Sequence, residues 1–205
     1  AGSDTFNAGT SDINEYTGDN IDGGSEIDTI DYSSIDTTGF SQGFEVSLQA
    51  GSAANVYVDG STTVNHTITN VENVIGTDLK DIITGDNQAN TLTGNSGDDT
   101  LKGNALSDIL YGGADNDELW GEEGSDYIYG GDNNDLIRGG SGFDELYGDD
   151  GVDVIYGNAD DDKIFGGADT DTLFGGADND TLQGEAGDDT LSGDSGNDII
   201  AGGSV

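Results

Sequence analysis

The sequence predicts an all-β protein whose short strands are wound into repeated coils. Three observations support this prediction. From Gly76 the chain divides into fourteen units of nine residues, without insertion or deletion, ending at Ala201. Every unit begins with Gly, and its eighth residue is Leu or Ile. Gly makes up 36 of the 205 residues whereas Pro, Cys and Met are absent, which favours tight turns and excludes a disulfide scaffold.

Each unit reads as a loop followed by a very short strand. Position four, counted from the unit's first Gly, is Gly, Asp or Asn except at Leu79, Gln88 and Leu106. These three residue types tolerate a left-handed backbone. Position six is Asp in every unit except one, where it is Asn90. Six turn residues and a strand with one inward apolar position predict that two units close one flattened coil.

The charge balance limits the classes of partner. There are 43 acidic and 4 Lys or Arg residues, for a formal net charge of −39. Nucleic acid is excluded as a partner because phosphate binding requires a basic face. The apolar stretches are too short to cross a bilayer, and the residues from Ala1 to Asp4 lack signal-peptide features, so we expect no membrane span and no N-terminal address.

The repeat resembles the G-G-x-G-x-D-x-U-x nonapeptide of RTX (repeats-in-toxin) proteins, a calcium-binding repeat. Units 112–120 and 139–147 match it closely, and fourteen units in unbroken register make the resemblance specific. Residues 23–31 form one more good copy, and residues 2–6 resemble the tail of another. The resemblance implies a parallel β-roll, a β-solenoid of about seven 18-residue coils, with an N-terminal irregular β segment.

We therefore expect three segments: degenerate RTX repeats in residues 1–31, an irregular β insert or cap in 32–75, and the nonapeptide β-roll in 76–205. In the insert, inward-facing residues are expected to alternate in three runs, at 44–48, at 56–58 and at 64–68. Asp59-Gly60 is a hairpin signal between two of these runs. We expect the insert to continue or cap the roll. His66 has no Cys or second His as a partner, so we expect it to be a half-buried strand residue.

Calcium is the cation that these loops predict. Stacked position-six carboxylates, about 5 Å apart, repel each other by nearly 1 kcal/mol even in water, so a cation is needed between them. Carboxylates and loop carbonyls are the hard oxygen ligands that calcium prefers. Without Cys, and with His66 alone, zinc or copper lacks its usual ligands. We expect about nine to twelve Ca2+ ions.

The resemblance also implies which atoms bind. Each ion would lie between a loop and the next loop on the same edge, two units later. Carbonyls of positions one and three would face one ion and those of positions two and four the next, and the position-six Asp would complete the shell. One edge would stack the loops that begin at residues 76, 94, 112, 130, 148, 166 and 184, and the other edge those at 85, 103, 121, 139, 157, 175 and 193.

Carried onto this sequence, the carboxylate ligands are Asp99, Asp108, Asp117, Asp126, Asp135, Asp144, Asp153, Asp162, Asp171, Asp180, Asp189 and Asp198. The loop ligands are Gly94, Ser96, Gly97, Gly112, Gly113, Ala114, Asp115, Gly121, Glu122, Glu123, Gly124, Gly130, Gly131, Asp132, Asn133, Gly139, Gly140, Ser141, Gly142, Gly148, Asp149, Asp150, Gly151, Gly157, Asn158, Ala159, Asp160, Gly166, Gly167, Ala168, Asp169, Gly175, Gly176, Ala177, Asp178, Gly184, Glu185, Ala186, Gly187, Gly193, Asp194, Ser195 and Gly196. Weaker ligands are expected at Asp28, Asp81 and Asn90. The loop that begins at Gly202 lacks its Asp, so an ion there would be weak.

The outward position nine carries two sets of large side chains. One face has Tyr111, Tyr129, Tyr147 and Phe165, and the other has Trp120, Arg138, Tyr156 and Phe174. We expect the aromatic rings to stack between neighbouring coils, since cross-strand aromatic pairs stabilise sheets. The alternative is a docking surface for saccharide, a neighbouring domain or a sister chain.

The function predicted is that of a calcium-binding RTX module. It would fold on binding extracellular calcium and serve as a structural, secretion-linked folding switch of a bacterial protein secreted by the type I route. We expect no catalysis from these residues and a monomeric state. Two alternatives stay open: an adhesin or surface-layer segment that binds saccharide or protein, and an accessory module of a secreted polysaccharide-modifying enzyme, protease or lipase.

Overall fold

A computed structural model of the chain describes residues 2–7, 20–35, 37–38, 42–49, 53–58 and 62–204, with only the backbone for 53–58 and 62–66. The secondary structure in these ranges is β-strand, turn and bend, without a helix. No segment in them forms a helix of the length and apolarity that a membrane span requires. The predicted all-β class is confirmed.

The described residues contain twenty-one strands, and most of those in the repeat region are six residues long. In chain order they are β1 Thr5–Asn7, β2 Asn20–Asp22, β3 Thr29–Asp31, β4 Glu45–Ser47, β5 Ala53–Val58, β6 Thr62–Thr69, β7 Asn73–Ile75, β8 Ile82–Thr84, β9 Thr91–Ser96, β10 Thr100–Ala105, β11 Ile109–Ala114, β12 Glu118–Glu123, β13 Tyr127–Asp132, β14 Leu136–Ser141, β15 Glu145–Asp150, β16 Val154–Ala159, β17 Lys163–Ala168, β18 Thr172–Ala177, β19 Thr181–Ala186, β20 Thr190–Ser195 and β21 Ile199–Ala201.

The strands form two sheets in which each repeat strand pairs in parallel with the strand two units away. One sheet has the order β1-β3-β7-β9-β11-β13-β15-β17-β19-β21, and the other β2-β6-β5-β4-β8-β10-β12-β14-β16-β18-β20. The register is constant, with Leu110 opposite Ile128 and Ile137 opposite Ile155. The nine-residue units therefore alternate between the sheets, and the predicted parallel β-solenoid of about seven 18-residue coils is confirmed.

The core is the line of position-eight side chains between the two sheets. From Ile83 to Leu182 every one of them is fully buried. Leu191 is only partly buried and Ile200 is 50% exposed, because the last coil is covered on one side only. Burying a Leu or Ile contributes about 1.5–3 kcal/mol, so the core stabilises each interior coil about equally.

The segment before the array joins the same two sheets. β3 and β7 extend one sheet, and β4 extends the other beside β8. β5 and β6 form an antiparallel hairpin, as predicted, although the Asp59-Gly60 turn lies outside the described residues. Phe44, Val46 and Leu48 enter the core. His66 lies in β6, but its side chain is outside the described part of the chain, so its burial stays a prediction.

From the third unit onward each loop contains two left-handed positions, whereas the sequence predicted only one. Position four has positive φ from Gly97 onward, as expected, and Leu106 adopts φ 68° despite its side chain. Position two also has positive φ from Asn95 onward, including Glu122 at 80°. A non-Gly residue in this region costs about 1–2 kcal/mol, so these loops need compensating contacts.

Candidate calcium sites

The position-six residues form two buried columns, one along each edge of the solenoid. From Asp81 to Asp180 every member is buried, and Asp189 and Asp198 are half-buried. Burying an ionised carboxylate is costly unless it is paired and hydrogen-bonded. The two oxygens of each carboxyl group have different surroundings.

One oxygen of each array carboxylate links successive coils. Oδ1 of Asp117 accepts a hydrogen bond from the backbone N–H of Asp99 at 2.8 Å, and Oδ1 of Asp126 accepts one from Asp108 at 2.8 Å. Each later unit, up to that of Asp180, forms the same bond with the unit two positions further along the chain. The last one joins Asp198, whose Oδ1 accepts from the N–H of Asp180 at 3.0 Å. Each Asp thus reaches back into the gap between its own loop and the preceding loop on that edge.

The second oxygen is buried without a hydrogen-bond partner. In the array, all of which is described, this applies to Oδ2 of Asp99, Asp108, Asp117, Asp126, Asp135, Asp144, Asp153, Asp162, Asp171, Asp180 and Asp189. A buried acceptor left unpaired costs about 1–3 kcal/mol, and more when it is charged. Eleven unpaired carboxylate oxygens in one small protein therefore indicate that a cation is their partner.

These oxygens face the next loop on the same edge. A Cβ placed on Gly112 would meet the side chain of Asp117 and lie 2.6 Å from the carbonyl oxygen of Gly130. Gly94 stands in the same relation to Asp99 and to the carbonyl of Gly112. Position-one Gly is thus required because its missing side chain leaves room for a carboxylate and a carbonyl oxygen that converge between two loops.

The loop carbonyls alternate in direction. Those of positions two and four point forward: a Cβ added to Gly113 would meet the carbonyl oxygen of Asn95, and one added to Gly124 would meet that of Leu106. Those of positions one and three point backward, and the position-three carbonyl of Ala114 accepts the N–H of Gly97 at 3.1 Å. Each gap is therefore lined by carbonyls from both loops.

The first two units of the array are built differently. Oδ2 of Asp81 accepts the Thr77 N–H at 2.6 Å and the Thr77 hydroxyl at 3.0 Å, while Oδ1 accepts the Phe44 N–H. Asn90 accepts the Asp86 N–H at 2.8 Å and donates from Nδ2 to the Glu72 carbonyl at 2.9 Å. Hydrogen bonds satisfy both side chains, so they lack the unpaired oxygen of the later units. By contrast, the loop that begins at Gly103 keeps the regular geometry, although Leu106 stands at its position four.

Burial and neighbouring carboxylates make the columns hard to ionise when no cation is bound. Burial raises the pKa of Asp99, Asp135 and Asp162 to about 8, and neighbouring Asp side chains add to the effect. The pKa values of Asp108, Asp117, Asp144 and Asp153 rise to about 7, and those of Asp126 and Asp171 to about 6, for the same main reason. Backbone N–H donors partly oppose the shift in every case.

A second ladder of side chains runs along the outer rim of the loops and was not predicted. At position five, Asp98 Oδ1 accepts the Asn116 N–H at 3.1 Å, and Asn134 Oδ1 accepts the Val152 N–H at 2.8 Å. On the other edge, Asp161 Oδ1 accepts from Asn179 at 2.8 Å. The available signal was the run of Asp or Asn at position five of successive loops on one edge, at Asp98, Asn116 and Asn134. This ladder joins coils without a metal.

The residues fit a hard, oxygen-seeking cation. In the described part of the chain, no three acidic or His side chains are grouped as a metal site. A site in a loop gap would instead combine one or two carboxylates with backbone carbonyls, which suits the six to eight oxygen ligands of Ca2+. Fold and site together define a calcium-binding β-solenoid.

Comparison with known families identifies it further. A family model described as RTX calcium-binding nonapeptide repeat (4 copies) matches residues 75–110, 102–137, 129–164, 138–173, 147–182 and 174–204. These matches together span more than half of the chain, so it belongs to the RTX calcium-binding nonapeptide repeat family, as the sequence predicted. No curated protein matches the chain.

The Asp126→Asn variant separates the two roles of a column carboxylate. The amide keeps Oδ1 as the acceptor for Asp108 N–H, as Asn90 does for its own partners, but removes the charged oxygen in the gap. We expect the coil still to form. The calcium concentration at the midpoint should rise about tenfold, because the loss of one ligand weakens binding by about 1.4 kcal/mol. Calcium titration by circular dichroism measures it, with exposed Asp150→Asn as the control. An unchanged midpoint would contradict the role of Asp126.

The position-nine side chains stack between coils on both outer faces. Ring centroids are 5.1 Å apart for Tyr111 and Tyr129, and 4.9 Å apart for both Tyr129–Tyr147 and Tyr147–Phe165. On the other face Tyr156 stacks on Phe174 at 4.9 Å, while Arg138 lies over Trp120 at 5.0 Å. The rings of the first face contact one another throughout, and on the second face Arg138 lies between the rings of Trp120 and Tyr156, which supports the stacking interpretation.

Tyr129→Leu is expected to lower the free energy of unfolding by about 2 kcal/mol, because two ring pairs worth about 0.5–1.5 kcal/mol each are lost. Gln183→Leu, at position nine of the same face beyond the stacked rings, is the control. Thermal unfolding at saturating calcium compares them. Equal stability of Tyr129→Leu and the parent would show that the stacking contributes nothing.

Proposed function

We propose that the chain is a calcium-driven folding module of a secreted bacterial protein. The observation that carries the proposal is the row of buried carboxylate oxygens without a partner, eleven of them in the array. Without a cation the solenoid must bury these groups unpaired or protonated, and the net charge of −39 disfavours any compact state.

Eleven calcium ions are proposed, one for each gap that contains an unpaired oxygen. Ten gaps lie between full loops, from the pair at Gly94 and Gly112 to the pair at Gly175 and Gly193. The eleventh lies between the loops at Gly184 and Gly202, where Asp189 supplies its carboxylate but no later Asp follows. The first two units are left out, because hydrogen bonds already satisfy Asp81 and Asn90.

In each gap the proposed ligands are the position-six carboxylate, the forward carbonyls of one loop and the backward carbonyls of the next. The ion would supply positive charge that neutralises the column. The chain's own part is to present these oxygens on left-handed loops and to keep the gap free of side chains through position-one Gly.

Binding and folding would then be coupled, because the gaps exist only when successive coils are stacked. RTX repeats are typical of secreted bacterial proteins, which fits a chain that stays unfolded in calcium-poor cytosol and folds outside the cell. Export by the type I route and a structural, non-catalytic role belong to this proposal.

The test is a calcium titration of chelator-treated protein, followed by far-UV circular dichroism and by fluorescence of Trp120, with magnesium as the control. We expect a cooperative change from coil to β signal near millimolar calcium and none with magnesium, which retains its water and demands octahedral geometry. A chain that is β-rich without calcium and indifferent to it would overturn the proposal.

A further inference from the structure

A buried carboxylate outside the nonapeptide array has the same unusual environment as those within it. Asp28 is 0% exposed, and its Oδ2 has no hydrogen-bond partner among the residues that the structure describes. Its Oδ1 accepts the Asp4 N–H at 2.7 Å. Asp28 lies ahead of residues 75–204, the span that the family model matches. It is therefore a separate feature that the array sites do not explain.

The residue one coil further along is Glu72, which occupies position six in a segment that is not a nonapeptide. Because Thr29 of β3 pairs with Asn73 of β7, Glu72 stands beside Asp28 in the column. The Asp28 N–H donates to Glu72 Oε2 at 2.9 Å, just as array Asp residues donate to the next carboxylate. The buried carboxylate of Asp28 and the half-buried carboxylate of Glu72 thus meet in one column without a basic side chain between them.

The space around Asp28 Oδ2 is shaped like the array gaps. A Cβ on Gly23 would lie 2.6 Å from Asp28 Oδ2 and would also meet the carbonyl oxygen of Asn70. In the array, a Cβ added to Gly94 would likewise meet Asp99 Oδ2 and the carbonyl oxygen of Gly112. Asn70 adopts φ 53°, a left-handed conformation like that of the array loops.

We propose that a further calcium ion binds between the loop of Gly23 to Asp28 and the segment of Asn70 to Glu72. Its ligands are Asp28 Oδ2, the Glu72 carboxylate and the Asn70 carbonyl, with water completing the shell. On that edge the Asn90 amide, which donates to the Glu72 carbonyl, separates this site from the array. The ion fastens the N-terminal strands to the solenoid and is independent of the eleven array sites.

Crystals of the full chain grown with calcium test this directly through an anomalous difference map. We expect a peak about 2.3–2.6 Å from Asp28 Oδ2 and from the Asn70 carbonyl oxygen. Peaks in the array gaps serve as the internal control. Array peaks without a peak at Asp28 would overturn this proposal alone, whereas a map with no calcium peak at all would overturn the proposed function as well.

Asp28→Asn gives the matching test in solution. Bound calcium per chain, measured by mass spectrometry of the metal after gel filtration, is expected to fall by one ion. Asp31→Asn, three residues away and hydrogen-bonded to Ser33, is the control and keeps the parent count. Hydrogen exchange of residues 20–31 reports whether the strands stay ordered. Glu72→Gln is expected to weaken the binding of the same ion. An Asp28→Asn variant with the parent's calcium count would overturn the proposal.

Discussion

In the presence of a chelator, the chain is expected to lose its β structure near pH 8 and to regain it as the pH falls toward 4. The cause is the upward pKa shift of the column carboxyls, to about 8 for Asp135 and about 7 for Asp144, against about 3.9 in an unfolded chain. Between these values the folded state binds more protons than the unfolded state, so the free energy of unfolding falls as pH rises. Below about pH 4 the stabilisation is fully present.

Calcium reverses this dependence, because the ions need ionised carboxylates and protons compete with them. At a fixed millimolar calcium concentration we expect stability to rise with pH over the window in which the chelated chain loses it. Far-UV circular dichroism and Trp120 fluorescence measure both profiles, with light scattering to exclude aggregation as the net charge falls. Asp135→Asn should flatten the profile of the chelated chain and exposed Asp150→Asn should not. If stability changed with pH in the same direction with and without calcium, the column carboxylates would not be the calcium ligands.

Gly130→Ala is expected to lower the free energy of unfolding at saturating calcium by about 3 kcal/mol, the upper end for overpacking a well-filled interior. The added Cβ would meet the carboxyl group of Asp135 and lie 2.7 Å from the carbonyl oxygen of Gly148. A carbonyl in a sheet ladder cannot move aside cheaply, and the same space is the proposed ion site. Stability and calcium midpoint should therefore worsen together.

Gly202→Ala is the matched control, since Gly202 also occupies position one and a Cβ there would have nothing within 4 Å. Neither Gly has positive φ, so backbone strain does not distinguish the two substitutions. Thermal and chelator-induced unfolding compare both variants with the parent. If Gly130→Ala and Gly202→Ala had equal stability, position-one Gly would not be needed for the gap.

The nine-residue register was enough to predict the coils, the core and the columns. A constant register with an apolar eighth residue predicts one stacking of the strands, with that residue facing the core. Ile128 and Ile155 are buried in the core as this stacking predicts. Asp at position six predicted the column members in the same way. These features follow from the repeat itself, so they need no information on long-range contacts.

What the sequence did not predict depends on contacts between a unit and something that is not a unit. Glu72 joins the column of Asp28 although 43 residues separate them in the chain, and only the pairing of β3 with β7 brings them together. Asp81 also accepts a hydrogen bond from Phe44, which lies outside the array, and spacing within the unit could not predict that contact. Position two is an exception, because it is Gly, Asp or Asn in eleven of the fourteen units, as position four is, and this pattern was a local signal for its left-handed backbone.

The direction of the hydrogen bonds has a mechanical consequence. The backbone ladders and the Oδ1 bonds of the Asp columns run along the solenoid axis, from each coil to the next. A force that pulls the two ends apart along this axis loads the end coil first and opens it like a zipper, leaving its neighbour intact. Each rupture would release 18 residues, about 60 Å of extended chain. The protein should therefore yield in small equal steps and act as an extensible tether whose resistance depends on the calcium around it.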